Sequence, residues 1–219
     1  MYKYLFTSIL LLGSMTAVQA QSKLSWGVEA GLNLSHPIDA TSVAPGFNAS
    51  VFGRLDISKV FFLDAAVRYN YKPWNYSYSY ENGSTWDPNM LYMTVKETAS
   101  PSTLELPIHA GFSFGLSDKL ALNVGLGPYF GVGLGGKVKI KDVYVDLDNV
   151  ESVEKRSYDV YGKNDFKRFE VGADARIGLE FMRHYNVSVG YQFQFNDRDA
   201  IHFGVGKAQT FSINLGYRF

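Results

Sequence analysis

The side chains whose types and spacing could do chemistry are the histidines and their neighbours. Ser35-His36 is one pair, and His202 follows Asp197 and Asp199 closely. A histidine beside a hydroxyl and a carboxylate is the base-and-orienter arrangement of acyl transfer. Such a constellation would suit a hydrolase or an acyltransferase. The spacing supplies none of the required geometry, so these residues are expected to be polar loop positions. His109 is expected to face an interior and to hydrogen-bond Glu105 or a neighbouring carboxylate, and His184 to sit in a short turn. No HxxxH or paired acidic pattern of metal-ligand type occurs. With 0 cysteines there is no thiolate site, no disulfide and no lipid-modified N-terminal cysteine. No catalytic residue, metal or cofactor is expected.

A second set of charged residues is ordered by position. Glu29, Arg54, Asp56, Asp64, Arg68, Glu105, Glu170, Asp174, Arg176, Glu180 and Arg218 each alternate with apolar residues in runs of period two. From Leu24 to Leu34 the even positions are Leu, Trp, Val, Ala, Leu and Leu, and the odd ones Ser, Gly, Glu, Gly and Asn. Similar runs start at Phe47, Phe61, Leu104, Leu120, Phe169, Tyr185 and Phe211. Period two is the signature of a strand with two unlike faces. No position on the apolar faces is charged, in a chain that is 19% charged overall.

Alternation alone does not say which face looks inward, since a soluble barrel alternates too. Three features point the apolar face outward. The polar face carries near-balanced charges among glycines, without lysine, which suits a narrow interior filled by ion pairs. Runs of about 11 residues at roughly 3.3 Å rise, tilted near 40°, span about 27 Å, the height of a lipid-facing band. The apolar faces also tend to end in aromatics. Trp26, Phe61, Phe114, Phe181, Tyr185, Tyr217 and Phe219 form one belt, and Phe47, Tyr69, Tyr71, Phe130, Phe169, Phe193 and Phe195 the other. The fold predicted is all-β, an eight-stranded antiparallel up-and-down transmembrane β-barrel.

The N-terminus reads as a targeting segment. Lys3 precedes the apolar stretch Leu5 to Val18, and Val18-Gln19-Ala20 is a cleavage signal, giving a signal peptide over 1–20 and a barrel domain over 21–219. About 14 residues at 1.5 Å each reach about 21 Å, too short for a spanning helix. The chain is 219 residues with 21 basic and 21 acidic side chains. That neutrality argues against a nucleic-acid partner, which needs a basic surface.

Links after the second, fourth and sixth runs are short, and the others are longer, notably 73–102 and 135–167. Short turns inside and long loops outside would place both mature termini in the periplasm of a Gram-negative bacterium. Pro107 and Pro128 interrupt two runs and predict a bulge or local break at each. In 135–167 the alternation slips at Asp142-Val143, predicting a protruding β-hairpin with a bulge or turn there. In 73–102, Trp74, Tyr76, Tyr78, Tyr80 and Trp86 suggest a girdle packing on itself, or a sticky surface.

Several stretches resemble the outer-membrane β-barrel family that includes the PorT-like proteins. They are Pro45-Gly46-Phe47, Leu104-Glu105-Leu106-Pro107-Ile108, Val124-Gly125-Leu126-Gly127-Pro128-Tyr129-Phe130-Gly131 and Leu215-Gly216-Tyr217-Arg218-Phe219. The last is similar to the terminal signal read by the barrel-assembly machinery, carried by Leu215, Tyr217 and Phe219. The resemblance implies outer-membrane lipid as surroundings, tolerance of both prolines, and a link to protein secretion. It transfers no catalytic residue. The function expected is therefore non-enzymatic: a filled barrel with a structural or interaction role, whose loops 73–102 and 135–167 meet surface polysaccharide or a protein partner. A small solute pore is the alternative reading, and an outer-leaflet lipid-modifying enzyme using the rim histidines His36 and His202 the third.

Overall fold

In the computed structural model, which describes residues 23–37, 42–81, 90–161, 166–197 and 207–219, twelve strands are joined by continuous antiparallel pairing. Eight of them close into a barrel: β1 (Lys23–Pro37), β2 (Ser42–Asp56), β3 (Phe61–Tyr71), β6 (Ser102–Ser117), β7 (Leu120–Gly135), β10 (Phe169–Phe181), β11 (Tyr185–Gln194) and β12 (Ala208–Arg218). Closure comes from β1, which pairs with β2 from Lys23↔Asp56 to Ser35↔Ala44 and with β12 from Gly27↔Arg218 to Pro37↔Ala208. A closed ladder leaves no edge whose backbone groups lipid would strand. The proposed leader, 1–20, lies outside the described residues.

Burial decides which face looks inward. Ile213 and Leu215 are 63% and 65% exposed, while Glu105 and Glu170 on the alternate face are 2% and 0% exposed. A water-soluble barrel would show the reverse. The outward aromatics cluster at both ends, Tyr185, Tyr217 and Phe219 in edge contact at one and Phe47 against Tyr69 and Tyr71 at the other.

The interior holds large rings as well as charges. Phe52, Phe62 and Tyr129 are buried inside. Each lies over a glycine of another strand: a Cβ on Gly27, Gly111 or Gly172 would come within 2.2, 2.3 or 2.5 Å of the Phe52, Phe62 or Tyr129 ring respectively. The polar face was expected to be charges among small residues, and the glycines are there to make room for aromatics.

The turns at one end are short. Phe181 and Tyr185 are joined through Met182, Arg183 and His184, the first two with positive φ (53° and 62°), and the His184 N–H donates back to the Phe181 carbonyl at 3.0 Å, closing a tight hairpin. No bulge forms at either proline. The β6–β7 register is the same on both sides of Pro107, but the pairs that would join Ile108 to Pro128 and His109 to Gly127 are missing. The ladder breaks locally because proline has no donor to give.

The other end carries a second sheet. β4 (Trp74–Glu81), β5 (Met90–Ala99), β8 (Lys137–Asp146) and β9 (Glu151–Asp159) pair in that order, and β4 joins the barrel wall through Ser42↔Asn75 and Val43↔Trp74. Three of these strands continue barrel strands: β4 follows β3 across Lys72-Pro73, β5 enters β6 across Ser100-Pro101, and β8 leaves β7 across Gly136. Backbone bonds from Lys72 to Pro101 and from Ser100 to Lys137 carry the pairing across the bends. Gly136 has φ 139°, and a Cβ there would meet the Ser100 carbonyl oxygen at 2.3 Å, so the bend needs glycine.

Segment 73–102 is thus a β-hairpin and not merely an aromatic girdle. The predicted slip at Asp142-Val143 is also corrected: β8 keeps register with both β5 and β9 there, and its turn lies at Asp146–Val150, where the Asp146 carboxylate accepts from the backbone of Asp148 and Val150. The apparent slip arises because buried Asp142 occupies the face of Val138 and Ile140, where its carboxylate is paired with Arg156 of β9. That contact holds the Arg156 guanidinium above its ordinary pKa.

Above the barrel mouth, Trp74, Ala99, Val138, Val160 and Tyr161 form a small apolar core, with Phe166 edge-on to Trp74 at 5.9 Å. The Tyr161 ring lies over inward-facing Gly133, and the Arg168 guanidinium stands 5.2 Å from its centroid.

Candidate functional site

The alternating residues of eight strands converge in the lumen, in three tiers. Nearest the second sheet, Lys72 pairs with Glu105 and lies 3.2 Å from Glu170. Glu105 also accepts from Thr103 (3.0 Å), Asn70 (2.8 Å) and Gln192 (2.9 Å), so both its oxygens are satisfied.

In the middle tier Arg68 donates to Asp174 at 2.8 Å and Arg176 to Asp64 at 2.6 Å. His109 stands between the two acids, its Nδ1 2.7 Å from Asp64 and its Nε2 3.2 Å from Asp174. The second contact is an ion-pair distance without hydrogen-bond geometry. These residues come from β3, β6 and β10, so the tier ties one side of the barrel to itself. Glu29 of β1 reaches it only through Arg176, at 3.6 Å, leaving Oε2 without a hydrogen-bond partner.

At the short-turn end Arg54 bonds Asp56 at 2.7 Å, Arg218 lies 3.3 Å from Asp56, and Arg218 also pairs with Glu180. Arg54 stacks on Phe62, 3.7 Å from its centroid. A cavity of about 20 Å³ lies among Arg54, Arg176, Arg218 and Glu180, room for about one water.

The structure brings all eleven of the charged residues named from the sequence into this network, together with His109, which the sequence had placed inside, but one member, Lys72, was missed. The eleven comprise seven carboxylates and four guanidiniums, which is not balance. Lys72 reduces the deficit, and His109 stands between two of the carboxylates. The expectation of a lumen without lysine is therefore wrong: Lys72 is 4% exposed and reaches inward. Its signal was the phase of β3, whose inward residues Phe62, Asp64, Ala66, Arg68 and Asn70 continue to Lys72 and Trp74. His109 had been assigned to Glu105 or a neighbouring carboxylate, and the partners are Asp64 and Asp174.

The hydrolase constellation is not assembled among the described residues. Ser35 faces inward and shares a hydrogen bond with Thr210 at 3.2 Å, while His36, the next residue, lies on the opposite face. His202 and Asp199 lie outside the described residues, and Asp197 is exposed. His184 bonds the Arg218 carbonyl from a short turn. No group of three His, Cys, Asp or Glu side chains among the described residues could hold a metal ion.

A family model described as "Outer membrane protein beta-barrel domain" matches residues 19–199, most of the chain. The chain belongs to that family. Membership places it in the outer membrane and agrees with the closed barrel seen here. Among solved structures, the chain is similar to the attachment invasion locus protein Ail of Yersinia pestis (15% identity, 91% of this chain and 100% of that one, TM-score 0.39). It is also similar to OprG of Pseudomonas aeruginosa (11%, 92% and 99%, 0.45) and to Neisserial surface protein A (12%, 91% and 98%, 0.41). No curated protein matches this member of the family.

Proposed function

We propose that the chain is a sealed, non-enzymatic outer-membrane platform that holds a rigid four-stranded sheet beyond the bilayer for contact with a partner at the cell surface. The observation that carries this reading is structural continuity: β3, β6 and β7 run on into β4, β5 and β8, so the sheet is braced by the barrel wall and not tethered by loops. Below it three tiers of ion pairs fill the lumen, which favours a scaffold over a solute pore. In this reading 1–20 directs export, the strand ending in Leu215, Tyr217 and Phe219 is read by the assembly machinery, and both mature termini are periplasmic. The partner meets residues 73–102 and 135–167, and is a surface polysaccharide or a protein, with a secretion apparatus the protein class implied by the PorT-like resemblance.

Because the chain has no cysteine, single-cysteine labelling tests the orientation cleanly. On intact cells, Ser157→Cys in β9 should react with a membrane-impermeant maleimide, and Asp118→Cys in a short turn should react only after lysis. The opposite pattern would put the sheet in the periplasm and sink the surface-platform reading.

A further inference from the structure

The two faces of the second sheet differ in charge. The face that continues the barrel interior carries Glu97, Asp142, Glu154 and Arg156 along with Trp74, Ala99 and Val138, because these residues are opposite one another in the ladders. The alternate residues continue the lipid-facing side of the wall. There Lys96 of β5 is directly opposite Lys141 of β8, which is directly opposite Lys155 of β9. Lys137 and Lys139 lie on the same face of β8, and all five are exposed; Asp159, opposite Lys137, and Glu151 near the far end of β9 are the carboxylates that share the face on β8 and β9, which leaves it net positive. Among the described residues no carboxylate is within ion-pair distance of any of these ammonium groups.

Three like charges in a row across adjacent strands destabilise a sheet in isolation. Lysines often protect a strand edge from unwanted pairing, but that accounts only for β9, since β5 and β8 are paired on both sides. An anionic partner would relieve the repulsion. The height of the row selects which one. Lys137 and Lys141 follow Leu134, the last outward apolar residue of β7, by three and seven positions, about 10 and 23 Å along the strand and about 8 and 18 Å in height at a tilt near 40°. The headgroup layer adds only about 5–7 Å to each side of the hydrocarbon core. The row therefore stands above phospholipid headgroups, at the level of sugars carried by surface glycolipids. Lysine also suits mobile phosphate or carboxylate groups, as a flexible point charge and not a fixed fork.

We propose that the outward face of β5, β8 and β9 binds the anionic core sugars of the glycolipids surrounding the barrel, through Lys96, Lys141 and Lys155 with Lys137 and Lys139 beside them. The inference rests on the platform reading, in which this sheet lies outside the cell.

The test uses the folded full chain in detergent and a fluorescent lipopolysaccharide with a phosphorylated core, compared with lipid A lacking the core. A lysine near an anionic surface contributes about 1 kcal/mol, about fivefold in affinity. Wild type should prefer the core-bearing glycolipid at least tenfold, and Lys96→Gln/Lys141→Gln/Lys155→Gln should abolish the preference while keeping the heat-modifiable mobility of a folded barrel. If the triple variant does not fold, the preference of wild type should still collapse in 0.5 M salt. Equal binding of the two lipids by wild type overturns the proposal, as does a folded triple variant that keeps the preference. Capture of heparin without preference for the core-bearing glycolipid would make the face a site for soluble polyanions and would also overturn it. Binding in detergent is independent of orientation in the cell, so failure here with correct surface labelling leaves the platform reading standing.

Discussion

Asp174→Ala should lower the stability of the folded barrel by about 3–5 kcal/mol, the usual cost of removing one partner of a buried ion pair. The loss is large because one carboxylate serves three groups: Arg68 at 2.8 Å, Gln192 at 2.9 Å and His109 at 3.2 Å. Without it the Arg68 guanidinium is left buried with weaker company, and the cost lies in that stranded charge more than in the lost contact. For a chain of this size the fall corresponds to about 10 °C, read as the temperature at which the fast-migrating folded band is lost on electrophoresis. Replacing both partners by apolar residues, Arg68→Met with Asp174→Leu, should recover much of the loss, since an apolar pair carries no desolvation cost. An unchanged unfolding temperature for Asp174→Ala would mean that the tier contributes nothing to holding the barrel.

Lys72→Met should be comparably damaging, by about 3–5 kcal/mol. Lys72 is the cation of the upper tier, shared by Glu105 and Glu170, both almost fully buried. Removing it leaves two carboxylates side by side over Gly131 of β7, the residue to which both are paired, with neutral donors from Asn70, Thr103 and Gln192 as relief for Glu105. Adding Glu105→Gln and Glu170→Gln to Lys72→Met should restore most of the stability. Lys59→Met, in an exposed turn, should change it by less than about 0.5 kcal/mol. Denaturant titration of all three proteins in the same detergent checks the set, and equal effects of Lys72→Met and Lys59→Met would show that Lys72 is not held inside.

The barrel was legible because alternation is a local signal repeated eight times, and because charge was absent from one face of every run. The lumen residues followed from the same parity. What escaped were features set by pairing between distant segments. β4 alternates Tyr76, Ser77, Tyr78 and Ser79, a strand pattern in plain view, but its partner β5 has no clean alternation, and β5 finds β8 only after the whole of β6 and β7. Asp142 looked like a phase slip because the residue that neutralises it, Arg156, lies on the next strand. Lys72 was lost by stopping β3 at the last aromatic, although its phase runs on through the proline to Trp74. The lysine row is invisible along any single strand and exists only once β5, β8 and β9 are side by side.

The central claim is that the charged interior is a closed scaffold and not a conduit. Planar-bilayer recording of the purified, folded full chain tests it most directly. The account predicts a silent membrane, with no ohmic steps above the lipid background at moderate voltage and neutral pH. Stable, reproducible single-channel steps that scale with salt concentration would contradict it and make the tiers of ion pairs the lining of a pore.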